Sequence, residues 1–373
     1  MKLPQPYLLF LGDVTLPLFA KTAFGLRDWA PELCIGELAL PGCTVTTGLP
    51  RLTPGEARAR GARALIIGVA SIGGALAPQW LATLVEALEA GLDLVSGMHG
   101  RLADNAQLAE VAQRHERQLI DVRRPPQSTP IGSGRKRPGK RLLTVGSDCA
   151  VGKKYTALSL TQEFRRLGVD ADFRATGQTG ILIAGEGIPI DAVIADFVAG
   201  AAEELSPDAP PDHWDIVEGQ GSVVHPSYAG VSLGLLHGTQ PDVIVLCHEH
   251  GREHIAGLVD YRIPSLQEVM DLTLTLARRT NPDVRCGGIS VNTSKLDERA
   301  ARAALATYSD HLRLPAADPL RGGPEFEGLA RACLDGLLPR PGIRQALSDG
   351  SSKHEPTLER EFVSRHAMKG DAV

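Results

Sequence analysis

Thr144-Val-Gly-Ser-Asp-Cys-Ala-Val-Gly-Lys-Lys-Tyr-Thr156 overlaps an apolar run, Leu142-Leu-Thr-Val-Gly146, and opens a segment with helical periodicity from Lys153 to Leu167. A strand, a glycine-bounded loop ending in Gly-Lys, and a helix are what a phosphate-binding loop requires. Backbone N–H groups curl round phosphate oxygens, the helix N-terminus adds its dipole, and a lysine sets a point charge on the outer phosphate. Gly146 and Gly152 allow close backbone approach; Ser147, Asp148, Cys149, Ala150 and Val151 form the body of the loop, and Lys153 and Lys154 start the helix. The loop is one residue longer than GxxxxGK[ST], and Lys154 stands where a hydroxyl normally ligates Mg²⁺. Thr156 lies two positions further on and points elsewhere on a helix. The segment therefore reads as an anion-binding loop; one that only grips a pyrophosphate tolerates the missing hydroxyl.

Outward from the loop, strands and helices alternate. A short strand at Ala171–Phe173 precedes a helix from Ile190 to Glu204, a strand at Trp214–Glu218 and a helix near Val231–Leu236. A strand at Asp242–Cys247, a helix over Leu266–Thr280, a strand at Cys286–Val291 and helices at Glu298–Tyr308 and Phe326–Gly336 complete the series. An earlier series has strands at Tyr7–Leu11, Ala64–Val69, Leu92–Ser96 and Leu119–Val122, with helices over Pro78–Ala90 and Asn105–Arg117. Continuous apolar strands separated by amphipathic helices predict parallel sheets covered on both faces. The glycines from Gly68 to Gly74 lack the GxGxxG spacing of a dinucleotide fingerprint and read as a turn. Between the two series, Arg123 to Lys140 (RRPPQSTPIGSGRKRPGK) is rich in Pro, Gly and Ser, with basic residues and no acidic one. It reads as an interdomain linker, either a solvated tether or a basic strip near an anionic ligand. The expected organisation is α/β throughout: a Rossmann-like parallel-sheet domain over 1–122, the linker over 123–140, a P-loop NTPase-like domain over 141–340, and a mobile tail over 348–373.

Ligand crevices in such sheets lie at the carboxyl ends of strands. Asp172-Phe-Arg-Ala-Thr-Gly-Gln-Thr-Gly180 offers Arg174, Thr176, Gln178 and Thr179 as donors to an anion, although a tight turn alone explains its glycines. Asp191 and Asp196, five residues apart on the expected helix, are not a natural pair. Asp215-Ile-Val-Glu-Gly-Gln-Gly-Ser222 places Glu218 at a strand tip, followed by Gln220, Ser222 and His225. Asp242-Val-Ile-Val-Leu-Cys-His-Glu-His-Gly-Arg-Glu-His254 places His248 at another tip and Arg252 just beyond it. His250 and His254 have a spacing that binds zinc on a helix, but Gly251 and the strand end argue against one, and no metal site is assigned. Asn292-Thr-Ser-Lys295 either meets an adenine ring or caps the next helix.

Composition narrows the function classes. The 373 residues suggest two domains. A net charge of −5 and 4% aromatic residues give little with which to hold nucleic acid. Six scattered cysteines without a CxxC pair fit reduced thiols in a cytoplasm, and the apolar run Leu8–Leu11 is too short for a membrane span. A cytoplasmic, homo-oligomeric protein acting on small molecules, with no nucleic-acid or membrane partner, is the expectation. Only nine of the 39 basic residues are lysines, and two of those stand together at Lys153-Lys154.

The order GSDCAVGKK, RATGQTG, DAVIADFVAGAAE, VEGQGSVVHPSYAGVSLGLLHG, PDVIVLCHEHGR and NTSK, across about residues 5 to 340, resembles a bacterial and archaeal family with a Rossmann-like N-terminal and a P-loop C-terminal domain. Long catalogued only as a domain of unknown function, the family has a branch linked to D-glutamate N-acetyltransferase activity. Against its usual loop, GTDCAVGKMTTAL, this chain has Ser147 for Thr, Lys154 for Met and Tyr155 for Thr. The resemblance implies acetyl transfer from acetyl-coenzyme A to the amine of D-glutamate. The coenzyme pyrophosphate would sit on the loop and Lys153, with Asn292 beside the nucleotide. Glu218, His225 or His248 would take the amine proton, and Arg174 and Arg252 would pair with the carboxylates of the acceptor. The loop also resembles that of dethiobiotin synthetase, which keeps open an ATP- and Mg²⁺-dependent carboxylate-activating enzyme or small-molecule kinase. A non-catalytic nucleotide-binding regulator is the remaining alternative.

Overall fold

Strands buried along their whole length demand cover on both faces, and the chain supplies it in two α/β units. The structure is a computed structural model that describes residues 3–69, 76–98, 100–126 and 128–337. One unit comprises Met1–Ser128 with Ala175–Ala192, the other Thr129–Arg174 with Val193–Val373. Part of the Gly68–Gly74 turn and the expected tail over 348–373 lie outside the described residues.

The first unit runs β1 (Tyr7–Gly12), α1 (Lys21–Trp29), β2 (Cys34–Ala39), α2 (Pro54–Ala59), β3 (Ala64–Ile67), α3 (Leu81–Glu89), β4 (Asp93–Ser96), α4 (Ala106–Arg114) and β5 (Leu119–Asp121). Its five parallel strands lie in the order β2-β1-β3-β4-β5. β2 escapes the sequence reading because Gly36 and the wholly buried Glu37 interrupt its apolar run. The Glu37 carboxylate accepts from the Thr47 N–H at 2.6 Å and from the Thr46 hydroxyl at 2.7 Å, which keeps a buried charge solvated by protein dipoles.

The second unit runs β6 (Lys140–Gly146), α5 (Lys153–Arg166) and β7 (Ala171–Arg174), then, after α6 (Gln178–Ala184), which groups with the first unit, α7 (Val198–Leu205), β8 (Trp214–Val217), α8 (Ala229–Thr239) and β9 (Val243–Glu249). A two-stranded ribbon, β10 (His254–Ile255) and β11 (Leu258–Arg262), precedes α9 (Leu266–Ala277), β12 (Arg285–Asn292), α10 (Glu298–Leu312), β13 (Ala316–Ala317) and α11 (Gly323–Leu334). Six parallel strands order as β13-β12-β9-β6-β8-β7, so β6 lies between β8 and β9. Phe164 of α5 meets Trp214 of β8 edge to face, 5.3 Å between centroids, in a core shared with Leu142, Val245 and Leu329. Among the described residues no helix is long and apolar enough to cross a membrane.

The single helix expected from Ile190 to Glu204 is two short 3₁₀ turns, Ile190–Ala192 and Ala195–Phe197, ahead of α7; Asp191 and Asp196 fall in different turns. The basic stretch before Lys140 is mostly exposed, and from Thr129 it groups with the second unit. Arg137 is buried and donates to the carbonyls of Ser206 and Gly238, both at 2.8 Å. Those carbonyls end α7 and α8, where the last turns of a helix leave acceptors unpaired and a cation is favoured. Arg141 donates to the Ser206 hydroxyl and the Pro207 carbonyl, both at 2.7 Å. These cations are spent on the fold.

At the margin of the same sheet, His213 sits between two carboxylates, with Nδ1 2.8 Å from Asp170 and Nε2 3.2 Å from Asp215. Burial opposes the charged ring, but the two carboxylates outweigh it and raise its pKa above the usual value. A raised folded-state pKa contributes stability that is full below the unfolded value, about 6.5, and fades as pH climbs through the folded value. His213→Gln should therefore lower the melting temperature at pH 5.5, with the gap narrowing steadily by pH 9. Thermal unfolding followed by circular dichroism across that range checks this, and a gap independent of pH contradicts it.

Candidate functional site

The loop after β6 is shaped by backbone that leaves ordinary space at two points. Ala150 has φ of 54°, and Gly152, which precedes α5, has φ of 104°, in the left-handed region that glycine enters without strain. Lys153 is buried, and its Nζ lies in the loop, 2.7 Å from the Asp148 carbonyl. Burial pushes the Lys153 pKa down, partly offset by Cys247, Cys149, Asp148 and Glu218. An ammonium held this way favours an anion beside it. Lys154 turns its ammonium over the Tyr155 ring, 4.5 Å from the centroid. The Thr156 hydroxyl donates to the Gly152 carbonyl at 3.1 Å and meets Ser290 Oγ at 2.8 Å, so it is anchored in the sheet.

Strand order brings the neighbouring tips to this loop. The Gly219 N–H donates to Thr144 Oγ1 at 2.9 Å, and a Cβ at Gly219 would lie 1.6 Å from the Thr144 carbonyl oxygen. Only glycine permits that approach, which sets Gly219 against the Lys153 stem, and the buried Glu218 before it is near enough for its charge to act on Lys153. His225 is buried; its Nδ1 accepts from the Ser227 N–H at 3.0 Å, and its Nε2 is 3.8 Å from Asp148 Oδ1. His248, at the end of β9, is 2.8 Å through Nδ1 from Ser147 Oγ and lies edge-on to Tyr308 of α10. Burial, reinforced by Arg252 and His250, pushes its pKa down to about 4, so the ring is neutral at pH 7.

Asp148 joins these parts. It is wholly buried, and its carboxylate accepts from the Cys149 N–H at 2.6 Å, the Ala256 N–H at 2.8 Å and Arg252 Nη1 at 2.9 Å. Arg252 also donates to the Cys149 carbonyl at 2.8 Å and pairs with Glu249, which takes Lys295 at 2.7 Å as well. Asn292 Oδ1 accepts from the Ser294 N–H at 3.0 Å, a cap of its own loop, while the backbone of Asn292 pairs with Glu249.

The structure thus gathers Gly146 to Lys153, Glu218, His225 and His248 at one end of the second sheet. Both arginines have ion-pair partners within the fold. Arg174, at the end of β7, turns back along the strand to Asp215, 2.6 Å away, with Asp172 at 3.6 Å; the diagonal neighbour across the strands claims it. Arg252 is a tether between the loop and the ribbon. Thr176, Gln178 and Thr179 fall in the first unit, where α6 begins at Gln178, with Thr176 buried and Gln178 against Gly97. Asp148, Cys149 and His225 bring one ligand atom each within 4.8 Å of one another. Both oxygens of Asp148 are already filled by N–H donors, and burial raises the Cys149 thiol, so this trio is poorly suited to a metal. Thr144, Ala256 and Tyr308 also touch the site, and the sequence alone does not single them out. The close glycines after Glu218 point to the first, but no local signal links Tyr308 to a strand end so distant in sequence.

Comparison with known proteins matches a P-loop domain of unknown function, DUF1611_C, over residues 130–326 and its Rossmann-like partner, DUF1611_N, over 39–125. A D-glutamate N-acetyltransferase of Tritonibacter scottomollicae is 53% identical over 85% of this chain and 96% of its own. Another, of a Pseudoalteromonas species, is 50% identical over 87% and 97%. The crystal structure of a DUF1611 family protein from Anabaena variabilis superposes with a TM-score of 0.74 at 32% identity, covering 89% of this chain and 99% of that one.

Removing Arg252 leaves the buried Asp148 short of its charged partner. Arg252→Ala should cost about 3 kcal/mol of stability, while Arg252→Lys recovers part of it. Urea unfolding of both variants measures the difference, and an unchanged midpoint for Arg252→Ala contradicts the tether.

Proposed function

The chain belongs to the DUF1611 family, and we propose that it is an N-acetyltransferase that acetylates the amine of D-glutamate. The observation that carries this is the pair of D-glutamate N-acetyltransferases at 53% and 50% identity, matched over 96% and 97% of their lengths. Acetyl-coenzyme A is the donor we infer. Its pyrophosphate suits a loop whose buried lysine gains a counter-charge on binding, and the loop grips phosphate without needing a hydroxyl after Lys153. Ordinary Mg²⁺-nucleotide chemistry is less suited: Lys154 occupies the hydroxyl position and Thr156 is hydrogen-bonded into the sheet.

In the reaction the ammonium of D-glutamate first loses a proton. The free amine attacks the thioester carbonyl, a C–N bond forms, the C–S bond breaks, and coenzyme A leaves as thiolate and takes up a proton. Glu218 is our base: it is a buried carboxylate just past the tip of β8, near enough for its charge to act on the loop lysine. His225 is poorly placed for that task. Its Nδ1 accepts a backbone N–H, which puts the proton of the neutral ring on Nε2, the atom that faces Asp148. The six cysteines form no disulfide, in keeping with a reducing cytoplasm.

Purified protein given acetyl-coenzyme A and D- or L-glutamate should release free thiol with the D isomer, and should release no ADP from Mg²⁺-ATP. Lys153→Ala should raise KM for acetyl-coenzyme A by about 10- to 100-fold through loss of a charged hydrogen bond. Glu218→Gln should lower kcat by about 100-fold or more. Thiol release absent with D-glutamate, alongside ADP release or ligand binding without turnover, would overturn the reading.

A further inference from the structure

His248 is the second histidine of the site, and the usual expectation for such a residue is a base. Its surroundings argue for another role. Nδ1 is 2.8 Å from Ser147 Oγ, and Ser147 is fully buried. A buried hydroxyl must send its proton somewhere, since an unsatisfied polar group costs about 1–3 kcal/mol. Nδ1 of His248 is the partner that the structure supplies. If Nδ1–H donated to the serine instead, the serine proton would be left without an acceptor in a sealed place. The accounting puts the serine proton on the Nδ1 contact and the ring proton on Nε2.

Nε2 itself meets no hydrogen-bond partner among the described residues, and the ring, only 6% exposed, lies at the end of β9 next to the loop. The ring cannot swing freely, because Ser147 holds one edge and Tyr308 packs 5.9 Å away on another. Around it stand Arg252 and His250, which disfavour a second proton, and Glu249, whose own charge is taken up by Arg252 and Lys295. A ring so reluctant to take a proton is a weak base towards an ammonium, but it stays a neutral N–H donor throughout the working pH range.

We propose that Ser147 locks His248 in the tautomer that presents Nε2–H to the thioester carbonyl, making His248 the hydrogen-bond donor that stabilises the tetrahedral oxyanion and leaving proton removal to Glu218. Ser147 is then a positioning residue rather than a contact to the coenzyme. The inference rests on the acetyl-transfer reading for its substrate, but its geometry is readable without turnover. A preorganised donor of this kind gains strength as charge develops on the oxygen, where a base would do nothing.

Two measurements test it. With ¹⁵N-labelled histidine, the His248 ring of the wild-type protein should show an unprotonated Nδ1 and a protonated Nε2 at neutral pH; the reverse pattern overturns the proposal whether or not the protein turns over. In the thiol-release assay, His248→Ala should lower kcat about 100-fold, whereas His248→Gln, which offers an N–H but cannot act as a base, should stay within about tenfold of wild type. Ser147→Ala should lower kcat while leaving KM for acetyl-coenzyme A little changed. Equal loss in the Ala and Gln variants, with both melting as wild type does, would return His248 to the role of base. Absence of thiol release from the wild type would instead strike at the acetyl-transfer reading, and the ring spectrum would still decide the tautomer.

Discussion

A carboxylate buried inside an anion-binding loop is the constraint around which this site is organised. Asp148 has no exposure, so its charge survives only because protein donors replace water. Two of them are backbone N–H groups, of Cys149 and Ala256, and the third is the Arg252 guanidinium. One belongs to the loop, and two to the segment that follows β9. The loop and the ribbon base are thereby held in one arrangement. Arg252 in turn requires Glu249. Burial alone would raise the Glu249 carboxyl, but Lys295 and Arg252 outweigh it and hold its pKa below the ordinary range. The result is a chain of alternating charges from Asp148 to Lys295, and the helix end and Lys153 are left to face an incoming anion.

The chemistry that surrounds this network follows from strand order. With β6 between β8 and β9, the loop, the Glu218 tip and the His248 tip are neighbours. Gly219 against the Thr144 carbonyl makes the first approach possible, and the contact from Ser147 to His248 makes the second. Each histidine is then fixed by what its Nδ1 meets: a backbone N–H for His225, a hydroxyl for His248. In both, Nε2 carries the proton of the neutral ring. The site has a carboxylate suited to take a proton and, in His248, a neutral imidazole suited to give a hydrogen bond, a division of labour matched to acyl transfer.

What was legible along the chain was whatever depends on local order. Strands apolar from end to end, a glycine loop closed by Lys153, and the acidic and histidine residues at strand tips together specified two parallel α/β sheets and the neighbourhood of the site, because burial and phosphate binding both act through contiguous residues. What only the tertiary structure decided was which polar side chains remain available there. Arg174 lies at a strand tip, as a ligand residue should, but Asp215 on the next strand claims it. Arg137 belongs to a stretch that reads as a basic linker, but the carbonyls at the ends of α7 and α8 take it up. Arg252 faces a buried aspartate that lies about a hundred positions away. The physical reason is common to all of these. A charge is neutralised by whatever the fold brings within about 3 Å, and that partner is set by strand register and helix ends rather than by proximity in sequence.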